Sequence, residues 1–136
     1  MLIVDTGVLV AAADRTDRHH QRCTELIAAE PGPLVTTEMV IAECAYLIER
    51  ELGTVAEASL YETINDGALL VENLTKTDWN RIHELVTTYA SLPLGGTDAS
   101  VITIAERLGQ RTIATLDHRH FAVVRPVHCD GFELTP

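Results

Sequence analysis

Four acidic side chains stand at positions where they could bind a metal ion together. Asp5 ends the apolar run "LIV", and Asp117 ends the run "TIATL". Asp98 follows a pair of glycines, and Glu43 lies inside the apolar stretch "MVIAECAYLI". If these carboxylates lie together they repel one another, and a hard divalent cation would offset their charge. Oxygen ligands without cysteine or histidine favour Mg²⁺ or Mn²⁺ over Zn²⁺, and such a site activates water for attack on a phosphodiester.

The elements that must position these acids alternate in a βα order. This order predicts an α/β fold with a mostly parallel central sheet and helices on both faces. We expect strands at Leu2–Val4, Leu34–Thr36, Ala68–Val71, Thr112–Leu116 and Val123–Val127. Apolar spacing predicts helices around Cys23–Ile27, Val40–Ile48, Ala56–Ile64, Trp79–Tyr89 and Thr97–Leu108.

The strand ends place the acids on one side of that sheet. Ligands of open α/β sheets bind outside the carboxyl ends of the strands, where Asp5 and Asp117 are expected. Asp98 falls in the first turn of the last long helix, for which Thr97 is the predicted N-cap and Gly109 the C′ residue. Glu43 would be costly at the core-facing edge of its helix unless it were paired or bound a cation.

Each acid also has a simpler explanation. Asp5 could cap the turn after the first strand, and Asp98 could be a favourable first-turn acid. Glu43 could point to solvent, and Asp117 could begin a solvated basic loop. Taken together, these explanations require four independent coincidences at one sheet edge.

Length and composition limit the class of protein. The 136 residues fit one domain, and 46% hydrophobic residues with a mean hydropathy of +0.11 exclude a disordered chain. No apolar run approaches the length of a membrane-spanning helix, and no secretory signal is evident, so we expect a cytoplasmic protein with no membrane partner. Three cysteines without a C-x-x-C pair predict reduced core residues.

The charge balance argues at first against a nucleic-acid partner. Ten Lys and Arg against 20 Asp and Glu give a net charge of −10. The basic residues are nevertheless clustered, one group lying between Arg15 and Arg22 and another between Arg107 and Arg125. Local basic patches can coexist with an acidic total.

Four sequence segments together resemble the acidic motifs of PIN-domain ribonucleases. These segments are "IVDTGVLVA", "VIAECAYLI", "LPLGGTDASVITIAERLG" and "TIATLDHRHF", and they span nearly the whole chain. At this length, the chain resembles a VapC-type toxin of a bacterial type II toxin–antitoxin pair. The resemblance implies a single PIN domain over residues 1–136, folded as a three-layer α/β/α sandwich.

The resemblance also implies roles for individual residues. Asp5, Glu43, Asp98 and Asp117 would be the catalytic residues and would hold Mg²⁺ or Mn²⁺, with Thr6 and Thr115 as hydroxyl neighbours. The activity would be endonucleolytic cleavage of structured RNA such as tRNA or rRNA, and the partner would be a cognate antitoxin. Family members also dimerise, and Leu60, Tyr61, Ile64 and Trp79 are apolar residues that we expect to be exposed on the third and fourth predicted helices.

The basic residues after Asp117 are candidates for contacting RNA. If Asp117 belongs to a metal site, the next residues border the pocket that a phosphate must reach. Arg119 is the best candidate for a phosphate contact because its guanidinium can donate to two phosphate oxygens at once. His118 and His120 would strengthen RNA binding only when protonated.

Two other functions fit parts of the sequence. A haloacid-dehalogenase-type phosphatase also has an Asp after its first strand, but it needs a second Asp two residues later, where this chain has Gly7. An acidic interaction domain would use the carboxylates only to bind a protein partner. Binding of a divalent cation would separate that domain from a nuclease.

Overall fold

The fold is a fully parallel five-stranded sheet with helices on both faces. The computed structural model describes all 136 residues. In chain order the elements are β1 (Leu2–Val4), α1 (Thr6–Ala13), α2 (His20–Ala29), β2 (Leu34–Thr37), α3 (Glu38–Leu52), α4 (Thr54–Asn65), β3 (Leu69–Glu72), α5 (Lys76–Thr88), α6 (Gly96–Arg107), β4 (Thr112–Ala114), α7 (His118–Val123) and β5 (Glu133–Thr135). None of these helices combines the length and the apolar character that crossing a membrane requires.

The strand order β3-β2-β1-β4-β5 puts the topological switch at the centre of the sheet. From β1 the chain moves outward to β2 and β3, and it then returns past β1 to β4 and β5, with every neighbouring pair parallel. The switch therefore lies between β1 and β4, and ligands of open α/β sheets bind in the crevice outside the carboxyl ends of such strands.

Alternating strand side chains build a core on each face. Ile3, Val35 and Ile113 are register partners and belong to the larger core, which includes side chains of α5 and α6. Leu2, Val4 and Ala114 point to the other face and pack with side chains of α1 and α2. These buried, largely β-branched strands agree with the continuous apolar runs expected of parallel strands.

The last part of the chain differs from the sequence prediction. Val123–Val127 is not a strand, because the segment from His118 to Val123 forms α7 and residues 124 to 127 are irregular. Phe121 is fully buried and holds α7 against the core, whereas β5 pairs with β4 much later, at Glu133–Thr135. Strand β4 also ends at Ala114 rather than Leu116.

Two further differences concern helices. The helix α1 was not predicted, because its sequence "TGVLVAAA" is apolar throughout and shows no helical periodicity. Helix α6 begins one residue before Thr97, with Gly95 rather than Thr97 at the N-cap. Gly109 is confirmed at the C′ position: it has a φ of 65°, and its N–H donates to the carbonyl of Glu106.

Candidate metal centre

Asp5 follows β1 directly and lies at the switch point, beyond the carboxyl end of this strand. Its backbone N–H donates to the carbonyl of Ala114 at 2.9 Å. This bond continues the pairing of β1 and β4 as far as Asp5. The side chain is buried and accepts a hydrogen bond from Thr115 Oγ1 at 2.8 Å. Asp5 is the N-cap residue of α1, but its side chain makes no capping hydrogen bond to that helix.

Burial makes ionisation of Asp5 unfavourable. Desolvation is the main cause that raises its pKa from 3.8 to about 6, and the hydrogen bond from Thr115 only partly opposes this effect. The nearby charges of Asp98 and Glu43 raise this pKa further. The charges of Asp5, Asp98 and Glu43 therefore repel one another across the crevice.

Two hydroxyl groups connect the acids to the scaffold. Thr115 donates to Asp5 and also accepts a hydrogen bond from the backbone N–H of Asp117 at 3.0 Å. Thr6 donates to Glu43 Oε2 at 2.8 Å. The two threonines thus join the ends of β1 and β4 to the acids on neighbouring elements.

Glu43 reaches the site from α3, but it is exposed rather than buried. The prediction that Glu43 lies at the core-facing edge is therefore wrong, because the neighbouring Cys44 takes the buried position on this helix. Burial, followed by the charges of Asp5 and Glu43, raises the pKa of the Cys44 thiol to about 12. Cys44 therefore acts as an inert core residue.

Asp98 comes from the first turn of α6 and is mostly buried, its side chain being 20% exposed. Burial is the main cause that raises its pKa, and a hydrogen bond from His120 opposes this effect. The position of α6 beside α3 is fixed by a buried contact of 2.8 Å between the hydroxyls of Thr37 and Ser100. Thr37 also caps α3, since it accepts from the N–H of Val40.

Asp117 lies at the N-cap of α7 and is the most exposed of the three aspartates, with 47% of its side chain accessible. Its carboxylate accepts from the backbone N–H of His120 at 3.3 Å. The basic segment after Asp117 is therefore not a solvated loop, because its residues form the first turn of a helix.

His120 contacts two of the acids. Its Nδ1 lies 2.8 Å from Asp98 Oδ2 and 3.1 Å from Asp117 Oδ2. Asp98, Asp117 and His120 each offer one ligand atom, and these atoms all lie within 4.8 Å of one another. The sequence predicted His120 as an RNA-binding residue at the border of the pocket and gave no sign of its contacts with the acids. The spacing of Asp117 and His120 is that of neighbours on one helical turn, and recognising it would have predicted the contact between these two residues.

The other basic residues are distributed unevenly around the site. Arg119 and His118 are exposed on α7, and Arg119 Nη2 lies 3.4 Å from His120 Nε2. Arg107 is not available as a free cation, because it pairs with Glu72 at 3.1 Å and Asp78 at 3.2 Å. Arg15 lies just after the end of α1. This helix begins at the crevice and is about 12 Å long, so Arg15 lies beyond its far end.

The donor set fits a divalent cation. Asp5, Asp98, Asp117 and Glu43 supply oxygen atoms around one crevice, and the pKa values of Asp5 and Asp98 are raised partly by the charges of other acids. Two of the three cysteines, Cys23 and Cys44, are buried, and Cys129 is half-buried; the Cys44 thiol contacts the carbonyl of Thr6 rather than a carboxylate. Such a set suits hard cations that prefer oxygen ligands.

Comparisons with known proteins agree with this architecture. The PIN domain family model matches residues 2–125. Ribonuclease VapC26 of Mycobacterium tuberculosis is 32% identical over 135 residues, which are 99% of this chain and 100% of that protein.

Solved structures show the same fold at lower identity. The chain is similar to VapC20 of Mycobacterium tuberculosis, described as a sarcin-ricin loop cleaving toxin, with a TM-score of 0.85 at 20% identity over 96% of this chain and 99% of that one. It is also similar to VapBC2 from Rickettsia felis bound to a promoter DNA fragment, with a TM-score of 0.72 at 16% identity over 99% and 98% of the two chains.

Proposed function

Since this chain belongs to the PIN-domain family and has a VapC ribonuclease as a full-length relative, we propose that it is a divalent-metal-dependent endoribonuclease. It acts as the toxin of a type II toxin–antitoxin pair and cleaves structured RNA, either tRNA or rRNA. The whole of residues 1–136 serves as one PIN domain. The observation that carries the proposal is the convergence of acids from β1, α3, α6 and the end of β4 on one crevice.

Each acid has a role in this proposal. Asp5, Asp98 and Asp117 hold Mg²⁺ or Mn²⁺, and Glu43 reaches the ion directly or through water. Thr6 orients Glu43, and Thr115 orients Asp5, because each hydroxyl donates to the carboxylate concerned. A divalent cation held by these acids would supply a water molecule of lowered pKa and a positive charge to offset that of the scissile phosphate.

The RNA substrate approaches the acids across the surface of α7. Arg119 is exposed beside the acids and has no carboxylate partner, so its guanidinium is free to donate to a phosphate. His118 is exposed next to Arg119 and contributes to the same surface. A local cationic group matters here because the chain as a whole has a net charge of −10.

The partner that holds the enzyme inactive is a cognate antitoxin. The solved relative from Rickettsia felis is a VapBC complex, and the acidic total charge of this chain favours a basic partner. An apolar cleft of about 260 Å³ offers a surface for apolar antitoxin side chains, and nine of its 11 lining residues are hydrophobic, among them Leu9, Ala12, Ile27, Ile48 and Leu60. Ser59→Arg, which places a charge in this cleft, should weaken antitoxin binding, whereas Ala58→Arg on the exposed face of the same helix should not.

Expression in a bacterial host tests the function as a whole. The chain is induced with and without the antitoxin gene, and new RNA 5′ ends are mapped across the transcriptome. We expect growth arrest and a few discrete cuts in tRNA or rRNA with the wild type alone, and neither with Asp98→Asn or with the antitoxin present. Growth arrest by Asp98→Asn with the same cuts would contradict the proposed site.

A further inference from the structure

We propose that His120 is a ligand of the divalent cation through Nδ1 and that it shifts the preference of the site from Mg²⁺ toward Mn²⁺. The four acids alone would form an all-oxygen site. This inference rests on the proposed metal-dependent function, and it adds a nitrogen atom to the ligand set.

The distances around His120 match the spacing of ligands on one ion. Nδ1 lies 2.8 Å from an oxygen of Asp98 and 3.1 Å from an oxygen of Asp117. Neighbouring ligands of an octahedral ion bound at about 2.1 Å are about 3.0 Å apart. All three ligand atoms lie within 4.8 Å of one another, so one ion could contact all three after the side chains adjust.

The surrounding structure holds the ring in this orientation. His120 is in the first turn of α7, and its backbone N–H donates to the N-capping Asp117. The next residue, Phe121, is fully buried and fixes the rotation of the helix about its axis. The imidazole is itself largely buried, with 16% of its side chain exposed, whereas His118 in the same helix is exposed.

The other ring nitrogen does not face the acids. Nε2 lies 3.4 Å from Arg119 Nη2, toward the exposed side of α7. Only Nδ1 is therefore directed at the crevice. Coordination through this atom places the ring proton on Nε2, so the Arg119 guanidinium, which can only donate, has to turn away from Nε2 when the ion binds.

A nitrogen ligand changes which ion the site prefers. Mg²⁺ binds oxygen ligands almost exclusively and keeps several water molecules, whereas imidazole suits transition-metal ions. A site that combines these carboxylates with one imidazole should consequently bind Mn²⁺ more tightly than Mg²⁺. Removing the imidazole should reduce that difference.

The test uses Mn²⁺ as the probe, bound to the purified full-length chain. Pulsed electron paramagnetic resonance detects a ¹⁴N nucleus bonded to the ion, and calorimetry measures the affinities for Mn²⁺ and Mg²⁺. His120→Asn keeps a polar atom near the Nδ1 position but removes the ring nitrogens. His118→Asn is the matched control, because it makes the same change in the same helix at an exposed position.

We expect ¹⁴N coupling in the wild type and in His118→Asn, and its loss in His120→Asn. The Mn²⁺ affinity of His120→Asn should fall by about tenfold or more while its Mg²⁺ affinity changes by less than about threefold. Bound Mn²⁺ without ¹⁴N coupling in the wild type would overturn the inference and leave the proposed nuclease intact. Failure of the wild type to bind Mn²⁺ at all would overturn both. The wild-type spectrum decides between these results even if His120→Asn does not fold.

Discussion

At the scale of single residues, the buried position of Asp5 lowers the stability of the fold when its carboxylate is ionised. Its pKa is about 6 in the folded chain and 3.8 without the protein environment, and burial is the main cause. The folded state therefore holds this proton more tightly than the unfolded state, so stability falls as the pH rises from about 4 to about 6. Above that window, and without a cation, the ionised side chain costs about 3 kcal/mol.

Asp5→Asn should therefore stabilise the chain in the absence of metal. The amide keeps the volume and can still accept the hydrogen bond from Thr115, but it carries no charge. In urea unfolding with a chelator, we expect a gain of up to about 3 kcal/mol at pH 7.5 and a smaller gain at pH 5. Added Mn²⁺ should stabilise the wild type more than the variant.

Asp66→Asn provides the control, since Asp66 is exposed at the end of α4 and makes no ion pair. Its effect should stay within about 0.5 kcal/mol at both pH values. A loss of stability in Asp5→Asn at pH 7.5 without metal would show that the Asp5 charge is compensated inside the fold.

Arg119 and Asp117 are neighbours that should affect RNA and metal binding in opposite ways. Arg119→Ala should weaken RNA binding and lower the slope of log affinity against log salt by about one, because one phosphate contact is lost. Its metal affinity should hardly change, whereas Asp117→Asn should reduce metal affinity and leave the salt slope intact. RNA affinity across a salt series and metal calorimetry measure both effects.

Arg111→Ala is a suitable control for Arg119. Arg111 is exposed just before the amino end of β4, the opposite end of the strand from the site, and its guanidinium makes no ion pair. Equal salt slopes for Arg119→Ala and the wild type would mean that Arg119 makes no phosphate contact and that Arg119 and His118 are only solvated surface residues.

At the scale of elements, the sequence predicted the strands with strong apolar runs and missed elements without a pattern. β1 was recognised because its residues, "LIV", are continuously apolar, as in strands that are buried on both faces. β5 has the sequence "ELT", with one exposed and two half-buried residues, so nothing marks it as an edge strand. The run predicted as a strand, Val123–Val127, begins at the last residue of α7, because Asp117 caps that helix and Phe121 is buried in the core.

The same limits apply to the candidate site. Strand ends placed Asp5 at the crevice, and the glycine pair placed Asp98 in a first turn, both from local sequence. The contact between His120 and Asp98 spans 22 residues and depends on how α7 packs against α6. No local pattern could predict that contact, because Asp98 and His120 lie on different helices.

Helices α5 and α6 are joined by a salt bridge that should contribute measurably to stability. Arg81 donates to both oxygens of Glu106, at 2.8 and 2.9 Å, and the Glu106 side chain is only 6% exposed. Arg81→Met would leave that carboxylate buried without its partner. We expect a loss of about 2–4 kcal/mol in urea unfolding.

The exposed pair Arg50–Glu51 provides the comparison. Both side chains are more than half exposed, at 54% and 56%, so Arg50→Met should cost about 0.5 kcal/mol or less. Similar losses for the two variants would mean that the Arg81 salt bridge adds nothing beyond a surface pair.

At the scale of the whole molecule, we predict that the chain forms a homodimer. Tyr61 on α4 and Trp79 on α5 are 42% and 49% exposed, although Leu60, which we expected on the same surface, is buried, and Ile64 is half-buried. Large exposed aromatic residues are enriched at protein interfaces. Sedimentation velocity should give a dimer at micromolar concentration, and at least one of Tyr61→Arg and Trp79→Arg should shift it to monomer. A wild type that sediments only as monomer would contradict the prediction.

The central claim is that the acids in the crevice between β1 and β4 perform metal-dependent cleavage of RNA. The most direct measurement is the cleavage rate of a structured RNA by the purified chain with Mn²⁺, Mg²⁺ or a chelator. We expect the wild type and Asp66→Asn to cleave only with a divalent ion, and Asp98→Asn to be slower by at least about 100-fold with an unchanged fold by circular dichroism. Asp98→Asn that cleaves at the full metal-dependent rate would contradict the account.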